Sequence, residues 1–119
     1  MPRLRFAPEF IQPILAETKR ATTRRVRDKT EDTDIAPGTR CVAIRVDTGA
    51  PFANLRITHV ETRRFDAIDD ALARVENYRV ADQLRASLRR FYPDITGSDR
   101  VRVLYFSREA LSPGSEPAD

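Results

Sequence analysis

The stretch that decides the fold reads Leu15-Ala16-Glu17-Thr18-Lys19-Arg20-Ala21-Thr22-Thr23-Arg24. Just before it, the apolar residues between Phe10 and Leu15 recur at the spacing of a helix. Two adjacent threonines and a following valine, which are all β-branched, favour a strand over residues 21–27. The stretch therefore predicts a helix-to-strand joint, a place where polar side chains can be held in fixed positions on rigid elements.

Lysine is rare in this chain. Of the 21 basic residues only Lys19 and Lys29 are lysine, and the rest are arginine. Arginine keeps its proton at ordinary pH, whereas the pKa of a desolvated lysine can fall toward ~7–8, so that the lysine can act as a base. Lys19 is therefore a candidate base. The alternative, which composition alone favours, is a solvated surface lysine.

Further along, the pattern predicts more strands and two helices. Nearly continuous apolar sequence from Cys41 to Val46 predicts a central strand, and period-two alternation from Asn54 to Val60 predicts an antiparallel neighbour.

Asp66 is expected to cap the first of the two helices that follow these strands. The polar residues 28–34 predict a mobile loop, and residues 101–106 predict a closing strand buried on most of both faces. The second helix is expected to bury Val80, Leu84, Leu88 and Phe91.

This order of elements, together with the lysine-to-arginine joint, resembles the ASCH domain, a branch of the PUA-like β-barrels. The usual ASCH signature is Ile-Leu-x-Gly-x-Lys-x-x-Thr-x-Arg, and residues 14–24 keep all of it except the glycine, where Glu17 stands. The resemblance runs from about Leu4 to Phe106. It implies an α+β fold: a small, mostly antiparallel β-barrel of five or six strands with flanking helices. We expect one domain over 1–107 and a flexible C-terminal tail over 108–119.

The resemblance also implies an activity. Small bacterial ASCH proteins include amidohydrolases that remove the acetyl group from N(4)-acetylcytidine with a Lys, a Thr and a Glu. Their Glu lies in a Glu-Asn or Glu-Gly step between two short helices, ahead of a Tyr-Pro. Glu76-Asn77 occupies that place here, and the segment that separates it from Tyr92 is one residue longer than in those enzymes. The resemblance therefore assigns Lys19, Thr22 and Glu76 as catalytic residues.

These three residue types can hydrolyse an amide together. Lys19 would take the proton of the Thr22 hydroxyl, which attacks the acyl carbon, and Glu76 would protonate the departing amine. A water nucleophile that Thr22 only helps to orient fits the same residues. Residues three apart on a regular strand point to opposite faces, so Lys19 must lie in the turn before the strand that carries Thr22.

Two further residues are expected to bind substrate. Arg24 shares the strand parity of Thr22 and would bind a carbonyl or phosphate oxygen through its paired donors; a structural ion pair is the alternative. Tyr78, near Glu76, would stack on a pyrimidine. The alternative interpretation of Glu76 is an acidic residue at a helix end, on a solvated face.

A rival hypothesis is an RNA-binding module without catalysis, or a ribonuclease. The pI near 9.5 and the arginine clusters would serve a phosphate backbone, although the net charge of +3 is modest. For the ribonuclease hypothesis, the chain lacks an obvious pair of histidines, because His59 is its only histidine. RNA therefore stays a possible partner beside a small modified nucleoside.

Composition bounds the remaining properties. The 119 residues suit one domain with a modest core, and no apolar run approaches the ~20 residues of a membrane span. The amino terminus lacks the apolar block of a secretory signal, so we expect a cytoplasmic protein. A single Cys41 and a lone His59 argue against a metal site, and no cofactor is implied. The oligomeric state stays open.

Overall fold

A computed structural model describes residues 1–26 and 35–109. The chain begins with β1 (Arg3–Phe6), and a 3-10 turn (Pro8–Phe10) leads into the short helix α1 (Ile11–Leu15). The elements that follow, in chain order, are β2 (Ala21–Arg25), β3 (Arg40–Arg45), β4 (Pro51–Arg64), a 3-10 turn (Phe65–Ala67), α2 (Asp70–Val75), α3 (Ala81–Phe91) and β5 (Arg100–Glu109).

Over the described ranges the strands form a five-stranded sheet in the order β1-β3-β4-β5-β2. β1 runs parallel to β3, and the other neighbouring pairs are antiparallel. The sheet curves into a half-barrel with β1 and β2 at its two edges. The expected α+β, PUA-like and mostly antiparallel fold is therefore confirmed.

Apolar side chains cover both faces of the sheet, and β5 contributes to both. Leu104 and Phe106 pack with residues of β1, α1, β3 and β4, while Val101 and Val103 pack on the opposite face under α2 and α3. Both faces of β5 are buried, as its sequence predicted, because helices cover one of them. Each large aliphatic side chain buried in this way contributes about 1.5–3 kcal/mol of hydrophobic stabilisation.

The helical region differs from expectation in two places. Asp69, not Asp66, caps α2, because its carboxylate accepts a hydrogen bond from the Leu72 amide at 2.9 Å. Asp66 lies in the preceding 3-10 turn and pairs with Arg64 instead. Leu84 and Leu88 of α3 are buried as predicted, but Val80 and Phe91 are exposed large apolar residues, since they lie at the two ends of the helix.

Two expected flexible segments fall mostly outside the described ranges. The predicted loop at 28–34 lies wholly outside them. β5 runs to Glu109, beyond the boundary that we expected at residue 107, and residues 110–119 lie outside the described part. Within the described ranges, every helix is too short or too polar to span a membrane.

Candidate active site

Polar side chains are rarely buried in this fold, which makes the exceptions informative. Among the described residues, the buried polar or charged ones are Lys19, Thr22, Thr23 and Glu76, each exposing 3–5% of its surface. Burial of a charge is costly unless the charge is paired and hydrogen-bonded. Such costs concentrate at functional sites, so these residues mark the candidate active site.

The turn that carries Lys19 is a Schellman motif at the end of α1. Glu17 has a φ of 61°, in the left-handed region, and its amide donates to the Ile14 carbonyl at 3.1 Å. The Thr18 amide donates to the Pro13 carbonyl at 2.9 Å. These two hydrogen bonds satisfy carbonyl groups that would otherwise lack a partner at the helix end. They also reverse the chain, so that Lys19 lies in the connection between α1 and β2. Lys19 thus lies in the turn, as its spacing from Thr22 predicted.

The turn that carries Glu76 repeats the same motif at the end of α2. Asn77 has a φ of 71°, its amide donates to the Arg74 carbonyl at 3.1 Å, and the Tyr78 amide donates to the Ala73 carbonyl at 2.8 Å. Asparagine adopts the left-handed region more readily than most residues. Glu76, the C-cap residue just before it, is directed inward and is not the solvated helix-end acid of the alternative interpretation.

A backbone hydrogen bond ties the two turns together. The amide of Arg20, the residue just before β2, donates to the carbonyl of Val75, the last residue of α2, at 2.8 Å. Arg20 follows Lys19 and Val75 precedes Glu76, so this bond brings the two charged residues side by side across 57 positions of sequence.

The two charged side chains form a buried ion pair. Lys19 Nζ donates to Glu76 Oε1 at 3.1 Å, and the Thr23 hydroxyl donates to Glu76 Oε2 at 2.5 Å. The Lys19 ammonium also lies over the Phe10 ring, 4.8 Å from its centroid. Desolvation by burial lowers the pKa of Lys19, and the attraction of Glu76 opposes this only in part.

Thr22 and Thr23 reach one cavity from opposite faces of β2. Thr22 pairs with Leu104 and Thr23 with Val103, so the two threonines share the two faces of the sheet with those residues. A cavity of about 160 Å³ lies beside this edge strand, and both threonines line it with Lys19 and Glu76. An edge strand has no neighbour on one side, and this allows a cavity to touch both of its faces.

Arg24 crosses from β2 to β1. Its Nε donates to the Thr22 hydroxyl oxygen at 3.2 Å, its Nη2 donates to the Arg5 carbonyl at 2.8 Å, and its guanidinium lies 5.1 Å from the centroid of the Phe6 ring. The predicted parity with Thr22 is therefore observed. Arg24 lines the cavity and holds together the two edges at which the half-barrel is open.

Tyr78 forms part of the opposite wall. Its side chain is half-buried against α3, and its hydroxyl donates to the Ser87 hydroxyl at 2.8 Å. Desolvation by burial raises the pKa of this phenol. The ring lines the same cavity as Glu76, where we expected it.

All five residues singled out in the sequence therefore line one cavity: Lys19, Thr22, Arg24, Glu76 and Tyr78. Lys19 and Glu76 are in direct contact, whereas the hydrogen bond described for Thr22 is with Arg24. Sequence reasoning missed Thr23, the second hydrogen-bond partner of Glu76. Thr23 points to the face of β2 opposite to that of Thr22, and both faces reach the cavity because β2 is an edge strand, which no local sequence pattern indicates.

Comparison with solved structures identifies the fold. The ASCH domain from Lactobacillus crispatus JV V101 superposes with a TM-score of 0.70 at 17% identity, covering 84% of this chain and 70% of that one. ASCH from Zymomonas mobilis gives a TM-score of 0.65 at 12% identity, covering 91% of this chain and 67% of that one. The half-barrel with its helices is thus the ASCH fold. No family model matches the chain.

Comparison of sequences then identifies the family. The N(4)-acetylcytidine amidohydrolase of Vibrio cholerae serotype O1 strain M66-2 is 31% identical over 87 residues, which are 73% of this chain and 79% of that protein. The protein of the same name from strain O395 is also 31% identical, over 73% of each chain. This chain belongs to the N(4)-acetylcytidine amidohydrolase family of ASCH-domain proteins.

Proposed function

We propose that this protein is an amidohydrolase that removes the acyl group from N(4)-acetylcytidine or a related acylated pyrimidine nucleoside. One observation carries the proposal: the buried ion pair of Lys19 and Glu76 lines a cavity that also contains the Thr22 hydroxyl. A buried pair of oppositely charged groups is more easily explained by proton chemistry than by stability, because desolvation offsets most of its attraction.

The pair can supply a base and an acid at the same time. Transfer of one proton from the Lys19 ammonium to the Glu76 carboxylate, along their hydrogen bond, produces a neutral amine and a neutral carboxylic acid. Burial favours these uncharged forms, in agreement with the lowered pKa of Lys19. The amine can then accept a proton from a nucleophile, and the acid can donate one to a leaving group.

Acyl transfer would follow from that state. The Thr22 oxygen attacks the acyl carbon and its proton passes to Lys19; the bond from the acyl carbon to the exocyclic nitrogen breaks, and the nitrogen takes the proton of Glu76. Cytidine leaves and the original ion pair is restored. Water then attacks the acyl-threonine by the same two proton transfers and releases acetate. In the alternative mechanism, water attacks the amide directly and Thr22 orients the substrate.

Arg24 and Tyr78 would assist without exchanging protons. Arg24 already donates to the Thr22 oxygen, and a cationic donor there stabilises negative charge that develops on the hydroxyl. The Tyr78 ring offers an aromatic surface in the cavity wall for a pyrimidine, with its hydroxyl held by Ser87.

The first test is an assay of N(4)-acetylcytidine deacetylation by the purified protein, in which the release of cytidine is measured. Lys19→Arg is expected to abolish turnover while the fold survives, because arginine keeps the charge and cannot act as a base. Glu76→Gln is expected to lower kcat by on the order of a hundredfold or more with little change in KM. Thr62→Val, a matched change on the exposed part of β4, should behave as the wild type.

A gel-shift assay with single-stranded RNA tests the rival function in parallel. If the domain only binds RNA, Glu76→Gln removes a negative charge near the polyanion and should strengthen binding slightly. Tighter RNA binding by that variant, together with a wild-type protein that hydrolyses no acylated cytidine, would replace the enzymatic proposal with the binding one.

A separate experiment identifies the nucleophile. Thr22→Ser keeps a hydroxyl and should retain activity, whereas Thr22→Val should lose it. Rapid quenching followed by mass spectrometry of peptides should find one acetyl group on Thr22 if the hydroxyl attacks. A quenched wild-type protein that turns over and yet never carries an acetyl group would favour direct attack by water.

A further inference from the structure

The carboxylate of Glu76 is held at both of its oxygens by different partners. Lys19 Nζ lies 3.1 Å from Oε1, and the Thr23 hydroxyl lies 2.5 Å from Oε2. All three side chains are buried, so neither contact is a surface encounter. Two donors on opposite oxygens restrict rotation of the carboxyl group about its last bond.

We infer that Thr23 is a positioning residue: it occupies Oε2 of Glu76 and reserves Oε1 for proton exchange with Lys19. This inference rests on the proposed function. A hydroxyl that donates to one oxygen of a carboxylate makes that oxygen a poorer proton acceptor, because the lone pair that faces the donor is already used. The proton from Lys19 is thereby directed to the oxygen that faces the amine.

The placement of Thr23 on β2 gives it this role and distinguishes it from Thr22. Thr23 shares its face of the strand with Val103, on the side covered by α2 and α3, and Glu76 arrives at that side from the end of α2. Thr22 points to the other face and is hydrogen-bonded to Arg24. Two neighbouring threonines with the same chemistry are thus assigned to different partners by strand alternation alone.

The same geometry also fits Thr23 as the nucleophile, and the experiment must distinguish that role from a positioning role. A hydroxyl that donates to a carboxylate is also the arrangement of a nucleophile and its base. If Thr23 were the nucleophile, the acetyl group would be found on Thr23, and Thr23→Val would abolish turnover as completely as Thr22→Val. A positioning role predicts that the acetyl group stays on Thr22 or is absent.

The closing experiment compares Thr23→Val, Thr23→Ser and the control Thr62→Val with the wild type. For Thr23→Val we expect kcat to fall by roughly ten- to a hundredfold, the scale of one hydrogen bond to a charged group, with KM unchanged. The acidic limb of the kcat/KM profile should move to higher pH, because the ionised form of Glu76 loses a donor. Thr23→Ser should restore both, and Thr62→Val should change neither.

A measurement that needs no turnover separates this inference from the proposed function. Carbon NMR of the labelled Glu76 carboxyl group should show a higher titration midpoint in Thr23→Val than in the wild type and Thr23→Ser. That result with an inactive wild-type protein would reject the proposed function and keep the Thr23 contact. An unchanged midpoint in folded Thr23→Val, or an acetyl group on Thr23, would overturn the positioning role; thermal unfolding establishes that the variant is folded.

Discussion

The two turns that carry the buried ion pair have the same backbone and different residues at the critical position. Both end a short helix with a Schellman motif, and in both the residue after the C-cap has a positive φ, 61° at Glu17 and 71° at Asn77. Asparagine is one of the residues that adopts this conformation with little penalty, whereas most L-residues incur about 1–2 kcal/mol. Glutamate at position 17 therefore occupies a conformation that its own chemistry disfavours.

The comparison shows what supports the turn before Lys19. The ASCH signature usually has glycine at this position, and glycine enters the left-handed region freely. Glu17 keeps the same turn without glycine, because the hydrogen bonds to Pro13 and Ile14 hold the backbone in place. The position of Lys19 is thus set by the helix end and the following strand, and we expect a substitution at position 17 to change the free energy of unfolding more than the geometry of the turn.

The largest effect is expected from breaking the ion pair that joins the two turns. Lys19→Met leaves the Glu76 carboxylate buried without its cation, and the free energy of unfolding should fall by about 3–5 kcal/mol. Urea denaturation measures the loss. The double variant Lys19→Met/Glu76→Leu should recover most of it, since no charge is then buried. A single variant that loses under about 1 kcal/mol would contradict a buried pair.

The next effect tests the turn at Asn77. Asn77→Val places a β-branched side chain in the left-handed region, which should cost about 1–3 kcal/mol of unfolding free energy. Activity should fall as well, because Glu76 precedes this residue and follows the backbone of the turn. Urea denaturation and the deacetylation assay measure the two effects. Asn77→Gly, which keeps the conformation, is the control and should retain activity.

A smaller and opposite effect is expected at the other turn. Glu17→Gly should raise the free energy of unfolding by up to about 1 kcal/mol, whereas Asn77→Gly should change it by about 0.5 kcal/mol or less. Glu17→Ala removes the same charge and keeps a β-carbon, so it should not show the gain. Equal gains at positions 17 and 77 would indicate that the two turns do not differ in strain.

The smallest effect is expected from an ion pair outside the two turns. Arg64 Nη2 lies 2.8 Å from Asp66 Oδ2 at the end of β4, and each residue exposes half or more of its side chain. Water and salt screen such a pair, so the free energy of unfolding of Arg64→Ala should stay close to that of the wild type. Thermal unfolding at low and high salt measures this difference. A loss comparable to that of Lys19→Met would show that burial is not what distinguishes the pair at the site.

Much of the architecture follows from local pattern. The strands β3 and β4 and the burial of both faces of β5 were predictable, because the pattern of apolar residues along a strand indicates which of its faces are covered. Val46, which we expected in β3, lies beyond the end of that strand at Arg45 and is exposed. Helix ends were harder. The cap of α2 is Asp69 rather than Asp66, since the 3-10 turn Phe65–Ala67, which the apolar periodicity does not reveal, intervenes between β4 and the helix.

The sequence indicated which residues gather at the cavity, and it did not indicate how they contact one another. The signature resemblance singled out Lys19, Thr22 and Glu76, and all three line one cavity. The sequence could not indicate that Lys19 contacts Glu76, because the two are 57 positions apart and are brought together by the backbone hydrogen bond between Arg20 and Val75. Thr23 escaped notice for the same reason: its partner belongs to a distant element.

The sequence by itself determined the elements, their amphipathic faces and the residue types available for chemistry, because propensity and periodicity act over a few neighbouring residues. Only the tertiary structure decided which of those residues are desolvated and which atoms meet. Burial lowers the pKa of Lys19, and a position on the sheet edge lets both faces of β2 reach one cavity. Both effects depend on segments far apart in the chain packing together, which no local pattern encodes.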